Sequence, residues 1–308
     1  MLSGGVGAAR FLQGVTAVVP PADVTAIGNV GDDLEIYGLH VSPDLDTLLY
    51  TLSGWNDEQK GWGVRGDTAR ALERARELGA PAWFWLGDLD IGLHLARTER
   101  LRRGEPLSLV TVGLAAALGL ELQLLPCTDD RLRTILATDV GELEFQTYYV
   151  ARGHQDRVLG IRFDGAEEAR PAPGVLEALS GAEAILIAPS NPLISIAPIL
   201  AVQDIREALA ARSAPCVAVS PIVGGAAIRG PAADMLISMG HEPSPVGVAR
   251  LYGGLIDALV LDRADADLAP AVEELGVRAI VVDTIMRDPA ARAGLAREAL
   301  GAAGLLVS

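Results

Sequence analysis

Apolar positions along the chain alternate between two rhythms. Short continuous runs rich in Val, Ile and Ala occur at Ala184–Ala188, Cys216–Val219, Ala258–Leu261 and Ala279–Val282. Between and after them come segments of helical spacing, roughly Ile205–Ala211, Ala232–Met239, Pro245–Tyr252, Ala269–Leu275 and Pro289–Ala299. Uninterrupted apolar strands separated by helices predict a parallel sheet covered on both faces. Near the start, Asp23–Gly28 reads as another buried strand. Phe11, Leu12, Val15 and Val18 give a helix opening behind Gly5-x-Gly7. Little strand stands before that turn. Only Met1 and Leu2 precede Ser3, so the first strand either begins abruptly or begins upstream.

The rhythm changes between residues 51 and 119. A helix at Leu45–Leu52 leads into a Gly/Trp-rich loop, Trp55–Asp67, with Asp67 or Thr68 expected to cap a helix at Ala69–Leu78. The segment Trp83–Asp90 follows, then a helix carrying His94 and Arg97 on one face, then a helix at Leu107–Leu118. Glu121–Pro126, Thr134–Thr138, Leu143–Tyr149 and Val158–Phe163 read as strands. The expected fold is α/β: a Rossmann-like parallel sheet covered by helices. Residues 1–50 and 120–308 form the nucleotide-binding domain, and 51–119 a helix- and loop-rich insertion.

Composition narrows the classes. Half of the 308 residues are hydrophobic and 21% are charged, which supports a sizeable core and argues against disorder. The formal net charge of −15 argues against a general nucleic-acid binder. Cys127 and Cys216 are the two cysteines, in no CxxC or Cys/His cluster, so neither a zinc site nor a disulfide framework is indicated. The Gly-rich start does not resemble a signal peptide, and no apolar run is long enough to span a membrane, so a cytoplasmic protein is expected.

The chemistry concentrates in one stretch. Asp32, Asp33, Asp44 and Asp46 fall within fifteen residues, punctuated by Gly31 and Pro43. They begin just past the predicted strand Asp23–Gly28, where open α/β sheets bind ligands. Carboxylates so close repel unless a cation sits among them, and an all-oxygen set suits Mg²⁺. The plainer alternative is a solvated acidic loop capping the next helix. Gly4–Gly7, Pro189–Pro192 and Ser220–Gly225 also follow strands, so all four loops should surround one crevice. Ser190 and Asn191 suit a base or ribose, or else cap a helix; Gly224-Gly225 suits a ligand approach or a plain turn. Arg229 could meet a phosphate. His40, His154 and His241 are expected at turns or on the surface. No GxSxG segment occurs, which disfavours nucleophilic catalysis.

Many ordered motifs together resemble the 2-phospho-L-lactate transferase family of deazaflavin coenzyme F-420 biosynthesis. They include Gly4-Gly5-Val6-Gly7-Ala8-Ala9-Arg10-Phe11-Leu12, Asn29-Val30-Gly31-Asp32-Asp33 and Ser42-Pro43-Asp44-Leu45-Asp46-Thr47. Gly61-Trp62-Gly63, Leu86-Gly87-Asp88-Leu89-Asp90 with His94, Cys127-Thr128-Asp129-Asp130 and Phe145-Gln146 continue the likeness. Ala188-Pro189-Ser190-Asn191-Pro192 and Ser220-Pro221-Ile222-Val223-Gly224 complete it. Ala8, Ala197 and Leu89 depart from residues usual in the family.

The resemblance implies Mg²⁺-dependent transfer of a phosphorylated three-carbon acid from a guanosine diphosphate-type donor. The acceptor is the ribityl hydroxyl of 7,8-didemethyl-8-hydroxy-5-deazariboflavin, GMP leaves, and the enzyme is a homodimer. Asp32 and Asp46 are then the catalytic candidates, and Asp32, Asp33, Asp44 and Asp46 the metal candidates. Substrate contacts are expected at Gly4, Gly5, Gly7, Asn29, Asp46, Thr47, Trp62, Asp88, His94, Ser190, Asn191, Pro192, Ser220 and Gly224. Two other readings compete: a non-catalytic nucleotide-sugar-binding regulator of similar architecture, and a dinucleotide-dependent oxidoreductase, which the missing third Gly disfavours.

Overall fold

The computed structural model describes residues 1–228 and 230–305. Seven parallel strands form its central sheet: β1 (Leu2–Ser3), β2 (Thr25–Gly28), β3 (Gln123–Pro126), β4 (Ile185–Ile187), β5 (Cys216–Val219), β6 (Ala258–Asp262) and β7 (Arg278–Val282). Their order across the sheet is β7-β6-β5-β4-β1-β2-β3. From β1 the chain first winds to one side, through β2 and β3. It then crosses to the other, through β4 to β7. β1 and β4 therefore flank a topological switch point, where the loops that follow them diverge and open a crevice.

β1 is short but held on both sides. Leu2 registers with Ile27 of β2 and with Ile187 of β4. Asn29 N–H donates to Ser3 O at 2.9 Å and Ala188 N–H to Leu2 O at 3.1 Å. Leu2, Ile27, Ile187, Val217 and Leu259 are buried, as a sheet covered on both faces requires. Helix α1 (Gly5–Thr16) packs against α2 (Pro43–Ser53) and against the helix Pro289–Ala302.

Residues 51–119, expected as an insertion, carry α3 (Arg70–Glu77), α4 (Asp88–Arg102) and α5 (Leu107–Ala117). α5 lies on β3 and α2, and α4 lies on a hairpin formed by Leu34–Ile36 and Leu39–Val41. Leu34, Ile36, Val41 and Leu86 form a second small core beneath α4.

Two local expectations change. Leu143–Tyr149 is not one strand: the strand Gly141–Glu144 ends and a helical turn follows at Thr147–Ala151. The buried hydrophobic residues there are Phe145 and Tyr148, three apart, a helical spacing rather than the alternation of a strand. Arg133–Thr138 is the centre of a separate antiparallel sheet, between Gly141–Glu144 and Val158–Asp164. The helix caps are also exchanged. Asp88, not Asp67, accepts N–H groups at the start of α3, from Arg70 at 3.2 Å and Ala71 at 2.9 Å. Asp67 accepts those at the start of α4, from Leu89 at 2.8 Å and Asp90 at 3.0 Å.

Candidate active site

The crevice is built on close backbone approaches. A Cβ on Gly7 would lie 2.3 Å from Pro189 O, and one on Gly4 would lie 2.8 Å from Asp44 Oδ2. Glycine is required at both positions so that the loops after β1 and β4 can touch each other and α2. Ser190 Oγ then donates to Gly4 O at 2.7 Å and is buried. α1 has glycine at its N-cap, which brings no side chain, and no acidic residue in its first turn. Its N–H groups form an amino end suited to an anion.

Asp44, in the first turn of α2, ties these loops together. Its Oδ1 accepts Gly5 N–H at 2.8 Å and its Oδ2 accepts Asn29 Nδ2 at 2.9 Å. Asn29 is fully buried, and its Oδ1 accepts Gly31 N–H at 2.8 Å. Burial pushes the Asp44 carboxyl up to about 6, against the hydrogen bonds that lower it. Asp32 is raised well above the usual carboxylate range, first by burial and then by the charge of Asp44. Asp32 Oδ1 and Asp33 Oδ1 are buried without a hydrogen-bond partner. Thr134 faces Asp32 and lowers its pKa, yet its hydroxyl lacks hydrogen-bond alignment.

Asp33 and Asp46 are differently engaged. Asp33 Oδ2 accepts Ser42 Oγ at 2.8 Å and lies 3.0 Å from His40 Nε2. Asp46 forms a two-point ion pair with Arg97 of α4, which is fully buried. Burial alone would lower the Arg97 pKa, but Asp46 outweighs it and raises it. His94 Nδ1 lies 3.7 Å from Asp46 Oδ2, and its Nε2 lies 3.1 Å from Asp90 Oδ1 without hydrogen-bond alignment. Tyr50 donates to the same Asp90 oxygen.

The four aspartates are therefore unequal as metal ligands. Asp46 already has a cation in Arg97, and both Asp44 oxygens hold N–H donors. The free oxygens are on Asp32 and Asp33, and buried polar atoms without partners call for a water or an ion. Among the described residues no group of three or more His, Cys, Asp or Glu is arranged to hold a metal alone. An ion bound here would need its other ligands from water or substrate, the usual habit of Mg²⁺.

The other expected site residues fall into two groups. Pro192 is buried beside Asn191 at the crevice. Asn191 Oδ1 caps the following turn through Leu193 N–H at 2.9 Å, while its Nδ2 has only the weak acceptor Met235 Sδ at 3.7 Å. Thr47 Oγ1 turns back to Pro43 O at 2.8 Å. Ser220 folds onto Ile222, and Gly224 N–H is held by Asp265 at 3.0 Å in a positive-φ turn, the plainer of its two readings. Trp62, by contrast, stands on the insertion surface, edge to face with Trp85 at 5.2 Å between centroids. Asp88 has its carboxylate on the α3 cap. Arg229 lies outside the described residues. His40 and Arg97 join the acidic network although the sequence pattern gave neither that role. Only the helical spacing of His94 and Arg97 hinted at a shared face.

Among the described residues no helix is long and apolar enough to cross a membrane. A UPF0052-family protein from Bacillus halodurans has a similar fold, with a TM-score of 0.67 at 15% identity over 97% of both chains. A phosphoenolpyruvate transferase of Streptomyces griseus is 45% identical over 97% of this chain and 96% of its own. A 2-phospho-L-lactate transferase of Methanosarcina acetivorans is 39% identical over 93% of this chain and 92% of its own. The family model for 2-phospho-L-lactate transferase CofD matches residues 1–293. With the switch-point crevice and its acidic loop, these relatives establish that the chain belongs to the CofD family of transferases.

Proposed function

We propose that the protein transfers a phosphorylated three-carbon acid, phosphoenolpyruvyl or 2-phospholactyl, from a guanosine diphosphate-type donor to the ribityl hydroxyl of the deazaflavin, releasing GMP. The observation that carries this reading is the pair of buried, partnerless oxygens on Asp32 and Asp33, beside Asp44, which holds the start of α1 through Gly5 N–H. A nucleotide-binding regulator would need the glycine loop but not those oxygens.

In this reading the N–H groups of α1 receive the donor phosphates, and Ser190 and the Asn191 amide hold the guanosine end. Asp32 and Asp33 hold Mg²⁺ with substrate and water oxygens. When bound, the ion neutralises charge on the transferring phosphoryl group. Asp32 also serves as the acceptor for the hydroxyl proton of the incoming alcohol. The Asp46–Arg97 pair fixes α2 against α4 and keeps the acidic loop in place. The exposed Trp62, with half-buried Trp85 against it, offers a flat face to the deazaflavin. The same reading makes the protein a cytoplasmic homodimer, for which exposed Leu109 and Val112 on α5 offer an apolar face.

The test is turnover. Purified protein with Mg²⁺, the deazaflavin and each activated donor should release GMP in step with loss of free acceptor. Asn191→Ala should weaken GDP binding and spare deazaflavin binding. If no donor gives product, and the deazaflavin fluorescence is unchanged by the protein, the reading fails.

A further inference from the structure

The loop that follows β4 carries two serines with opposite fates. Ser190 Oγ is spent inside the protein, on Gly4 O. Ser195, on the helical turn Pro192–Ile196, is only 7% exposed, yet its hydroxyl has no hydrogen-bond partner among the described residues. Its oxygen is not one of the sealed atoms, so it opens onto the crevice. Gly5, the first residue of α1, shows where the hydroxyl points. Beyond its own helix and chain neighbours, a Cβ on Gly5 would meet only Ser195 Oγ and Asp44 Oδ1, both at 4.0 Å. Gly4 and Gly7 are crowded by other loops, whereas Gly5 borders a gap.

The groups around that gap suit an anion. Asp44 takes the Gly5 N–H, and the next N–H groups of α1, on Val6 and Gly7, have no acceptor within the helix. Asp44 does not compete for them, because its two oxygens already hold Gly5 N–H and the Asn29 amide. A helix start with a buried, unspent hydroxyl beside it is a setting for phosphate oxygens. Position selects the phosphate. Ser195 N–H donates to Asn191 O at 3.0 Å, so the hydroxyl stands one turn from the amide proposed for guanosine. Across the gap, Asp44 adjoins Asp32 of the proposed metal site. A diphosphate running from guanosine to metal places its guanosine-side phosphate over Gly5.

We propose that Ser195 binds that phosphate: its hydroxyl, with the N–H groups of Val6 and Gly7, holds the group that departs in GMP. As the acceptor oxygen bonds to the outer phosphorus, the bond from that phosphorus to the bridging oxygen breaks, and its electron pair stays on GMP. The acceptor proton goes to Asp32. Charge therefore grows on the phosphate that Ser195 holds, and the hydrogen bond tightens in the transition state. The inference rests on the transferase reading for the identity of the nucleotide.

Calorimetric binding to the full chain tests it, with guanosine, GMP, GDP and inorganic phosphate as probes. Ser195→Ala should weaken GMP and GDP about tenfold or more, as for losing a hydrogen bond to a charged group, and change guanosine less than about threefold. Ligand-free Ser195→Ala should melt within about a degree of the wild type, because the hydroxyl has no partner to lose. Ser190→Ala, which removes the bond to Gly4 O, should melt lower. At saturating donor, turnover by Ser195→Ala should fall about tenfold or more. Equal losses for guanosine and GMP, or no loss for either, would overturn the proposal. So would inorganic phosphate binding as tightly as GMP, which marks a site for the free anion. Wild-type turnover with an indifferent Ser195→Ala rejects the subsite alone. Absent turnover with a phosphate-selective loss rejects the transferase and keeps the subsite.

Discussion

The crevice floor and the Trp-bearing insertion are held by opposite means. At the floor, contacts join residues far apart in sequence and sealed from water: Asn29 with Ile194, Ser190 with Gly4, Arg97 with Asp46. In the Trp-bearing part of the insertion, residues 55–88, the ties are exposed or half-exposed. Asp67 and Asp88 exchange helix caps, and Lys60 Nζ sits 5.0 Å from the Trp85 ring centroid. Buried polar contacts lose much when broken, because the partner left behind cannot turn to water. Exposed ones lose little. The floor is therefore a preorganised frame, whereas the insertion is able to adjust to a flat ligand at small cost.

The largest expected effect comes from breaking the frame. Arg97→Ala leaves Asp46 buried without its cation, which costs about 3–5 kcal/mol. A melting temperature lower by roughly 10 °C is expected. A shift within a degree or two would mean that α4 does not brace the floor. Asp32→Asn comes next. Losing a stabiliser of transition-state charge lowers turnover by about a hundredfold or more, while the fold survives or gains stability. Near-normal, Mg²⁺-dependent turnover in this variant would remove Asp32 from the chemistry.

Acidity sharpens the same contrast. Asp32 and Asp44 both have folded pKa values raised above the unfolded carboxyl, Asp44 to about 6. Such groups bind protons more tightly in the folded state. Their stabilising contribution is complete below the unfolded pKa, near 3.8, and is lost as pH rises through the folded value. In chelator, the melting temperature should rise on acidification from about pH 7 to pH 5, and Asp32→Asn should flatten that slope. Added Mg²⁺ should stabilise more at the higher pH. An identical slope in the variant would show that other groups govern it. The smallest effect belongs to the insertion. Asp88→Ala removes an exposed helix cap. It should loosen deazaflavin binding only slightly and leave GDP binding unchanged. A large loss of GDP affinity would show the two regions to be one.

What the sequence discloses follows the same division. The strands and the loops behind them were legible because short β-branched runs between helical stretches admit few other arrangements. The aspartates were legible as a cluster because they are close along the chain. Their separate duties were not. The pairing of Asp46 with Arg97 spans 51 residues, and it depends on how α4 settles over α2. His40 read as a turn residue because its contact with Asp33 arises only when the Leu34–Val41 hairpin folds back. The exchanged caps of Asp67 and Asp88 escaped for a related reason. Either aspartate satisfies a local capping pattern, and packing decides which helix start each one meets.

The two-residue strand β1 has a mechanical consequence. It is the single seam between the half of the sheet that carries the acidic loop, on β2, and the half that carries Ser190 and Asn191, after β4. A donor held as proposed, at its guanosine end by one half and at its phosphates by the other, would add a second seam across the first. Binding free energy then enters as resistance to shear between the halves. The amides of Leu2, Ser3 and their partners in β2 and β4 should be the ones whose hydrogen exchange slows most when the donor is bound.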